Sequence, residues 1–194
     1  MAAYAGFEIL DMRPSHARVD ATEPRSVVQG GLHEHPRLVT TSPGIFAGEM
    51  IYDFLTFADR AALLAFLTAR QGSYEPFWTR SWKTDARGLA STAGTTLQIR
   101  DDGQLPGLSV GVRHVYVPHL DQWFKTSDWE SQPGLLTCTI DDTITSGDMD
   151  DDDPIEFAYL VRLADDTLEF RADARSHLLG VCRFRFMELQ RETP

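Results

Sequence analysis

"TFADRAALLAFLTARQGSYEPFWTRSW", residues 56–82, holds the most helix-like pattern of the chain and, directly after it, a Tyr, a Phe and two of the four tryptophans. Thr56 suits an N-cap, because its hydroxyl oxygen can accept an unpaired amide of the first helical turn. Asp59, three residues on, completes a box-like cap and favours the positive helix end. Leu63, Leu64, Phe66 and Leu67, with Arg60 and Ala61 one turn earlier, recur at helical spacing. Arg70 suits the last turn, and Gly72 suits the left-handed residue that closes it. The spacing predicts a helix over about 57–70. The aromatic stretch behind it has three readings. Trp78 and Trp82 are four apart, so on a strand they share a face, and packing against the helix would make them core. Exposed in a shallow groove they would make a sugar platform, with Arg80, Lys83 and Asp85 to fix hydroxyls. Tyr74, Trp78 and Trp82 would equally serve a subunit interface, since Trp and Tyr carry interface energy.

Outward from this unit the chain reads as β. Before it, "IFAGEMIYDFLTF" from Ile45 places Phe46, Met50, Tyr52 and Phe54 on one face and Ala47, Glu49, Ile51 and Asp53 on the other. After it come "TTLQIR", "GLSVGVRHVYVP", "QWFKT", "GLLTCTI", "IEFAYLVRLA", "DTLEFRA" and "LLGVCRFRFMEL", separated by turn signals such as "DDGQLPG" and "SQPG". Seven or eight short strands with one flanking helix predict a mainly β fold, a sandwich or barrel. Residues 1–40, broken by Pro14, Pro24, Gly30, Gly31 and Pro36, read as an N-terminal arm or loosely paired extension, and 41–194 as a single β-rich domain.

The net charge of −11 argues against nucleic acid as an attractive partner, because phosphate binding takes Lys and Arg. It is compatible with a wall that DNA passes without sticking. No apolar run approaches the roughly 18 residues of a membrane span, and "MAAYAGFEIL" lacks the basic start of a signal peptide, so synthesis in a cytosol is expected. Cys138 and Cys182 both sit in strand-like runs and read as buried free thiols.

From Asp141 to Glu156 eight residues are acidic and none is basic. Asp148, Asp150 and Asp152 alternate as the first ligands of a calcium loop do, but Asp153 stands where that loop needs Gly and Tyr159 where it needs Glu. No metal is expected. Asp148, Asp150, Asp151, Asp152 and Asp153 read as a solvated hairpin tip or as an electrostatic docking loop for a basic partner surface. Arg18, Arg25 and Arg37 are candidate counter-charges within the N-terminal arm. His33 and His35 lie two apart with no third ligand near, and read as loop residues. No nucleophile elbow, phosphate loop or dinucleotide fingerprint is present, so neither catalysis nor a cofactor is expected.

The order of elements carries one resemblance. A Phe- and Tyr-rich strand, a helix ending "AFLTARQG", the segment "PFWTRSW" and then Asp85 are similar to a pattern in minor tail proteins of tailed bacteriophages and related prophages. The matching residues are Ala65, Phe66, Leu67, Arg70, Gln71, Gly72, Pro76, Phe77, Trp78, Ser81, Trp82 and Asp85, with the resemblance strongest over about 40–87. It continues loosely through "FAYLVRLADDTLEF" and "RFRFMEL", and residues 1–40 carry none of it. The resemblance implies a distal tail adaptor with a β fold related to the tail tube subunit. Such a protein is a structural component of the virion, made in the host cytoplasm. It forms a ring of itself, usually a homohexamer, between the tail tube protein and the baseplate hub protein, and DNA passes through it. A carbohydrate-binding β-sandwich at a tail tip is the alternative. On the preferred reading Phe77 and Trp78 wedge the return strand into the core against the helix, and Tyr74 or Trp82 is left for a neighbour.

Overall fold

The computed structural model describes residues 2–22, 26–28, 37–39, 45–54, 56–70, 74–101, 114–164, 169–172 and 180–189. Side chains are described for these except in 16–22, 26–28, 37–39, 45–47, 54 and 169–172. His33, His35, Gly72 and Arg25 lie outside the described residues, as do the side chains of Arg18 and Arg37.

The chain is mainly β. Its strands are β1 (Ala3–Tyr4), β2 (Phe7–Glu8), β3 (His16–Thr22), β4 (Ser26–Val28), β5 (Arg37–Val39) and β6 (Ile45–Phe54). The helix α1 (Phe57–Ala69) follows, then β7 (Phe77–Arg80), β8 (Ala86–Arg87), β9 (Gly94–Arg100), β10 (His114–Val117), β11 (Gln122–Gln132) and β12 (Leu135–Ile144). The last are β13 (Pro154–Leu163), β14 (Glu169–Ala172) and β15 (Gly180–Glu188). Eleven strands form one large sheet that runs β3-β6-β15-β13-β10-β11-β12-β9, with β14 on β15 and both β7 and β8 on β13. Every pairing between named strands is antiparallel. The strands outnumber the seven or eight read from the sequence, because several are two to four residues long and too short to show alternation.

α1 begins where the cap predicts. The Thr56 hydroxyl accepts the Asp59 amide at 3.1 Å and donates to Asp59 Oδ2 at 2.7 Å. At the other end the Arg70 amide bonds back to Leu67 O. Leu63, Phe66 and Leu67 face the core. Thr56→Ala should cost about 1 kcal/mol, the usual worth of such a cap. Urea unfolding checks this, and an unchanged midpoint would mean the cap bond is idle.

β13 is the hub. It pairs with β7, β8, β10 and β15. From Phe157 to Val161 every side chain is buried, which is why "IEFAYLVRL" reads as a nearly continuous apolar run and not as a clean alternation. Its two faces feed two cores. Phe157, Tyr159, Val161 and Leu163 join the main one, with α1, Met50, Tyr52, Phe124 and Phe186. Leu160 points the other way, to Trp78 and Ile9. Sheet surface buried on both sides gives the fold its sandwich-like character.

Part of the N-terminal segment joins this body, while β4 and β5 pair with each other outside the large sheet. β3 pairs with β6 over seven residue pairs, so the expected division near residue 40 is bridged by one sheet. Ahead of it, β1 and β2 form a hairpin whose turn residues Ala5 and Gly6 both have positive φ, 45° and 86°. A type I′ hairpin turn needs that combination, and Gly supplies it without strain.

Candidate functional site

The aromatic stretch is split by the pleat. On β7, Phe77 meets the helix, its ring 5.4 Å from Phe66 at 90°. Trp78 faces the opposite side. It is fully buried, with His114 at 4.6 Å, Tyr4 at 5.2 Å and Trp123 at 6.1 Å between ring centroids. Trp78 is therefore core, but its cover is the N-terminal hairpin and not α1. The expected shared face with Trp82 also fails. β7 ends at Arg80, and Trp82 has φ 61°, a left-handed turn that carries its ring to the edge of the main core. Tyr74 stands 78% exposed.

Arg80, expected from the sequence only as a possible sugar contact, is the centre of a polar and aromatic cluster. Its guanidinium lies 3.9 Å from the Trp82 ring centroid and 4.2 Å from that of Tyr116, a sandwich that suits a delocalised planar cation. It pairs with Asp11 at 2.6 Å and with Glu156 of β13 at 3.7 Å. Tyr116 in turn donates to Asp121 Oδ1 at 2.7 Å, and its hydroxyl is pushed up to about 12, chiefly by burial. An Arg between two aromatics in "FWTRSW" was the available signal. Its carboxylate partners are remote in sequence and gave none.

Behind Arg80, Asp85 locks the turn after β7. It accepts from the Ser81 hydroxyl and from the Phe157 amide at 2.8 Å, with Lys83 at 3.5 Å. Burial raises its carboxyl above the ordinary range, and the hydrogen bonds and Lys83 only partly oppose this. Glu156 is raised for the same first reason, against the pull of Arg80. A carboxyl raised by folding binds its proton more tightly folded than unfolded. Its stabilising effect is full below the ordinary carboxyl range near ~4 and is lost as pH rises through the folded value. The parent should therefore gain stability relative to Asp85→Asn as pH falls from about 7 towards 4. Thermal unfolding at several pH values checks this; two parallel curves would contradict it.

The acidic run is not a hairpin tip. Its flanking strands do not pair with one another: β12 lies between β11 and β9, and β13 lies elsewhere in the sheet. The run is a connection tied to the body. The Gly88 amide donates to Asp153 O at 2.8 Å, the Asp152 amide to Gly88 O at 3.0 Å, and the Ala90 amide to Asp151 Oδ1 at 2.9 Å. Arg100 pairs with Asp152 at 2.6 Å, and Met149 is buried beside Gly88. Asp148, Asp150, Asp151 and Asp152 are exposed and Asp153 is partly buried. Among the described residues no group of three His, Cys, Asp or Glu side chains is placed to hold a metal ion. Cys138 and Cys182 are free and buried, and burial pushes both thiols up to about 12, far from a reactive thiolate. Among the described residues no helix is long and apolar enough to cross a membrane.

The chain was compared with known families and proteins: no protein-family model matches it, and no curated protein matches it significantly.

Proposed function

We propose that the chain is a structural subunit of a phage tail, a distal tail adaptor that assembles as a ring of itself, in six copies, between the tail tube protein and the baseplate hub protein. The observation that carries this reading is where the motif residues sit. Phe66 and Phe77 join the helix to the sheet, Trp78 anchors the second core, and Ser81 with Asp85 locks the turn onto β13. Phe66, Phe77, Trp78, Ser81 and Asp85 of the tail-protein pattern thus hold elements of this fold together, which supports a shared fold related to the tube subunit. A mainly β body, with one helix among the described residues, and −11 of charge suits a ring that DNA traverses without binding. Tyr74 and Phe57, 78% and 55% exposed, offer apolar rings to neighbours, and Asp148 and Asp150 offer charge to a basic adjoining ring. The sugar-platform reading needs two exposed rings, and Trp78 supplies none. The protein would reside in the virion tail after synthesis in the host cytoplasm. Electron microscopy of the purified protein tests this: six-fold rings with an open channel are expected, and separate particles of single-chain size at every concentration would overturn it.

A further inference from the structure

We propose that residues 2–12 form an exchangeable strap, docked in the assembled ring on the β7 groove of a neighbouring copy; the proposal rests on the ring reading above. The groove is built entirely by distant elements: Trp78 of β7, His114 of β10, Trp123 of β11 and Leu160 of β13. The strap enters as a separate unit, closed on itself by the Ile9 amide bonding to Ala2 O at 3.0 Å. It lays Ile9 parallel to Trp78, and the Leu10 amide donates to Trp78 O at 2.8 Å on β7, whose paired strand is β13. An extended segment added to a strand edge, with side chains in preformed pockets, is a mode of recognition between chains as well as within one.

Charge selects the occupant. The strap brings Glu8 and Asp11, and the groove meets them with Arg70 at 2.5 Å and Arg80 at 2.6 Å. In a chain of −11 most faces repel a second copy, whereas this pair of surfaces attracts one. The link to β3 is short and has few ties: Met12 O accepts the Tyr52 hydroxyl and Ser15 Oγ accepts the Asp53 amide, both at 2.9 Å. Exchange gives up these ties, the packing of Met12 on the main core and the burial of Pro14, and remakes the strap's own contacts on the neighbour, which is why swapping of identical elements is a low-cost route to assembly.

Two charge-reversed chains, Glu8→Arg and Arg70→Glu, test the proposal by sedimentation, alone and mixed. Alone, each faces like charge across the strap contact and should need roughly tenfold more protein to assemble than the parent. Mixed in equal amounts, alternating copies regain opposite charge at every trans contact, and assembly should return close to the parent level. Glu75, 3.8 Å from Arg70, is common to all the chains, so the decisive comparison is the mixture against Arg70→Glu alone. A strap docked within its own chain gains nothing from mixing. No rescue, or either variant assembling like the parent, overturns the exchange and leaves the ring. A parent that stays monomeric overturns both. Should circular dichroism show the reversed chains unfolded, a Glu8→Cys, Arg70→Cys chain joined by a short bismaleimide replaces them, since Cys138 and Cys182 are buried. Links between chains in the ring support the exchange; links only within chains overturn it.

Discussion

Trp78→Ala is expected to destabilise the fold by about 3–5 kcal/mol, the range for truncating a large buried aromatic. The ring is fully buried and central to the second core, where it holds Ile9 and Leu160 and meets Tyr4, His114 and Trp123. The void left by the indole is walled by β13 on one side and by the N-terminal hairpin on the other. β13 is fixed by four partner strands and cannot collapse into the space. The hairpin can move, so the strap should loosen and residues 2–12 should become the first site of limited proteolysis. Phe77→Ala empties the other face, against α1, and should leave the strap protected while lowering stability. A Trp78→Ala chain that unfolds in urea within about 0.5 kcal/mol of the parent would contradict the placement of this ring in a core.

Arg80→Ala should cost about 3–5 kcal/mol near pH 7, as removal of one partner from a buried ion pair does. Its side chain is 10% exposed, and Glu156 opposite it is 15% exposed, so neither charge is well hydrated. Without the guanidinium, Glu156 would be left as a poorly solvated carboxylate with Asp85 contributing like charge, and Asp11 would lose its hold on β7. The carboxyl of Glu156 is already raised by burial, and losing Arg80 raises it further. The cost must therefore shrink as pH falls and Glu156 takes a proton. Arg80→Lys keeps the charge but not the plane that fits between Trp82 and Tyr116, and should fall between parent and Ala. Urea unfolding at pH 7 and pH 5 checks this. A penalty under about 1 kcal/mol at pH 7, or one independent of pH, would contradict it.

Local signals were legible in this sequence and pairings were not. The Thr56 cap, the helix and the alternation of β6 follow from chemistry within a few residues; the structure shows the first two where they were expected, and the alternation over the described residues 48–53, with Met50 and Tyr52 buried between less buried neighbours. Which strand a strand meets is set by the whole fold. The acidic turn signal therefore marked a turn correctly but suggested a hairpin, although β12 and β13 go to different partners. Trp78 and Trp82 lost their common face because Trp82 adopts a positive φ that only tertiary contacts impose on such a residue. The hairpin of residues 2–8 was invisible because two-residue strands carry no period. The Arg80 cluster joins residues 69 and 76 positions apart, a distance over which no spacing rule operates.

Mass measurement in solution tests the proposed ring without host, receptor or DNA. Purified protein, followed by native mass spectrometry or sedimentation across a wide concentration range, is predicted to give a species of six times the mass of one chain, dissociating as ion pairs at its contacts are screened by salt. A single-chain mass at every concentration and every salt level would contradict the proposed ring.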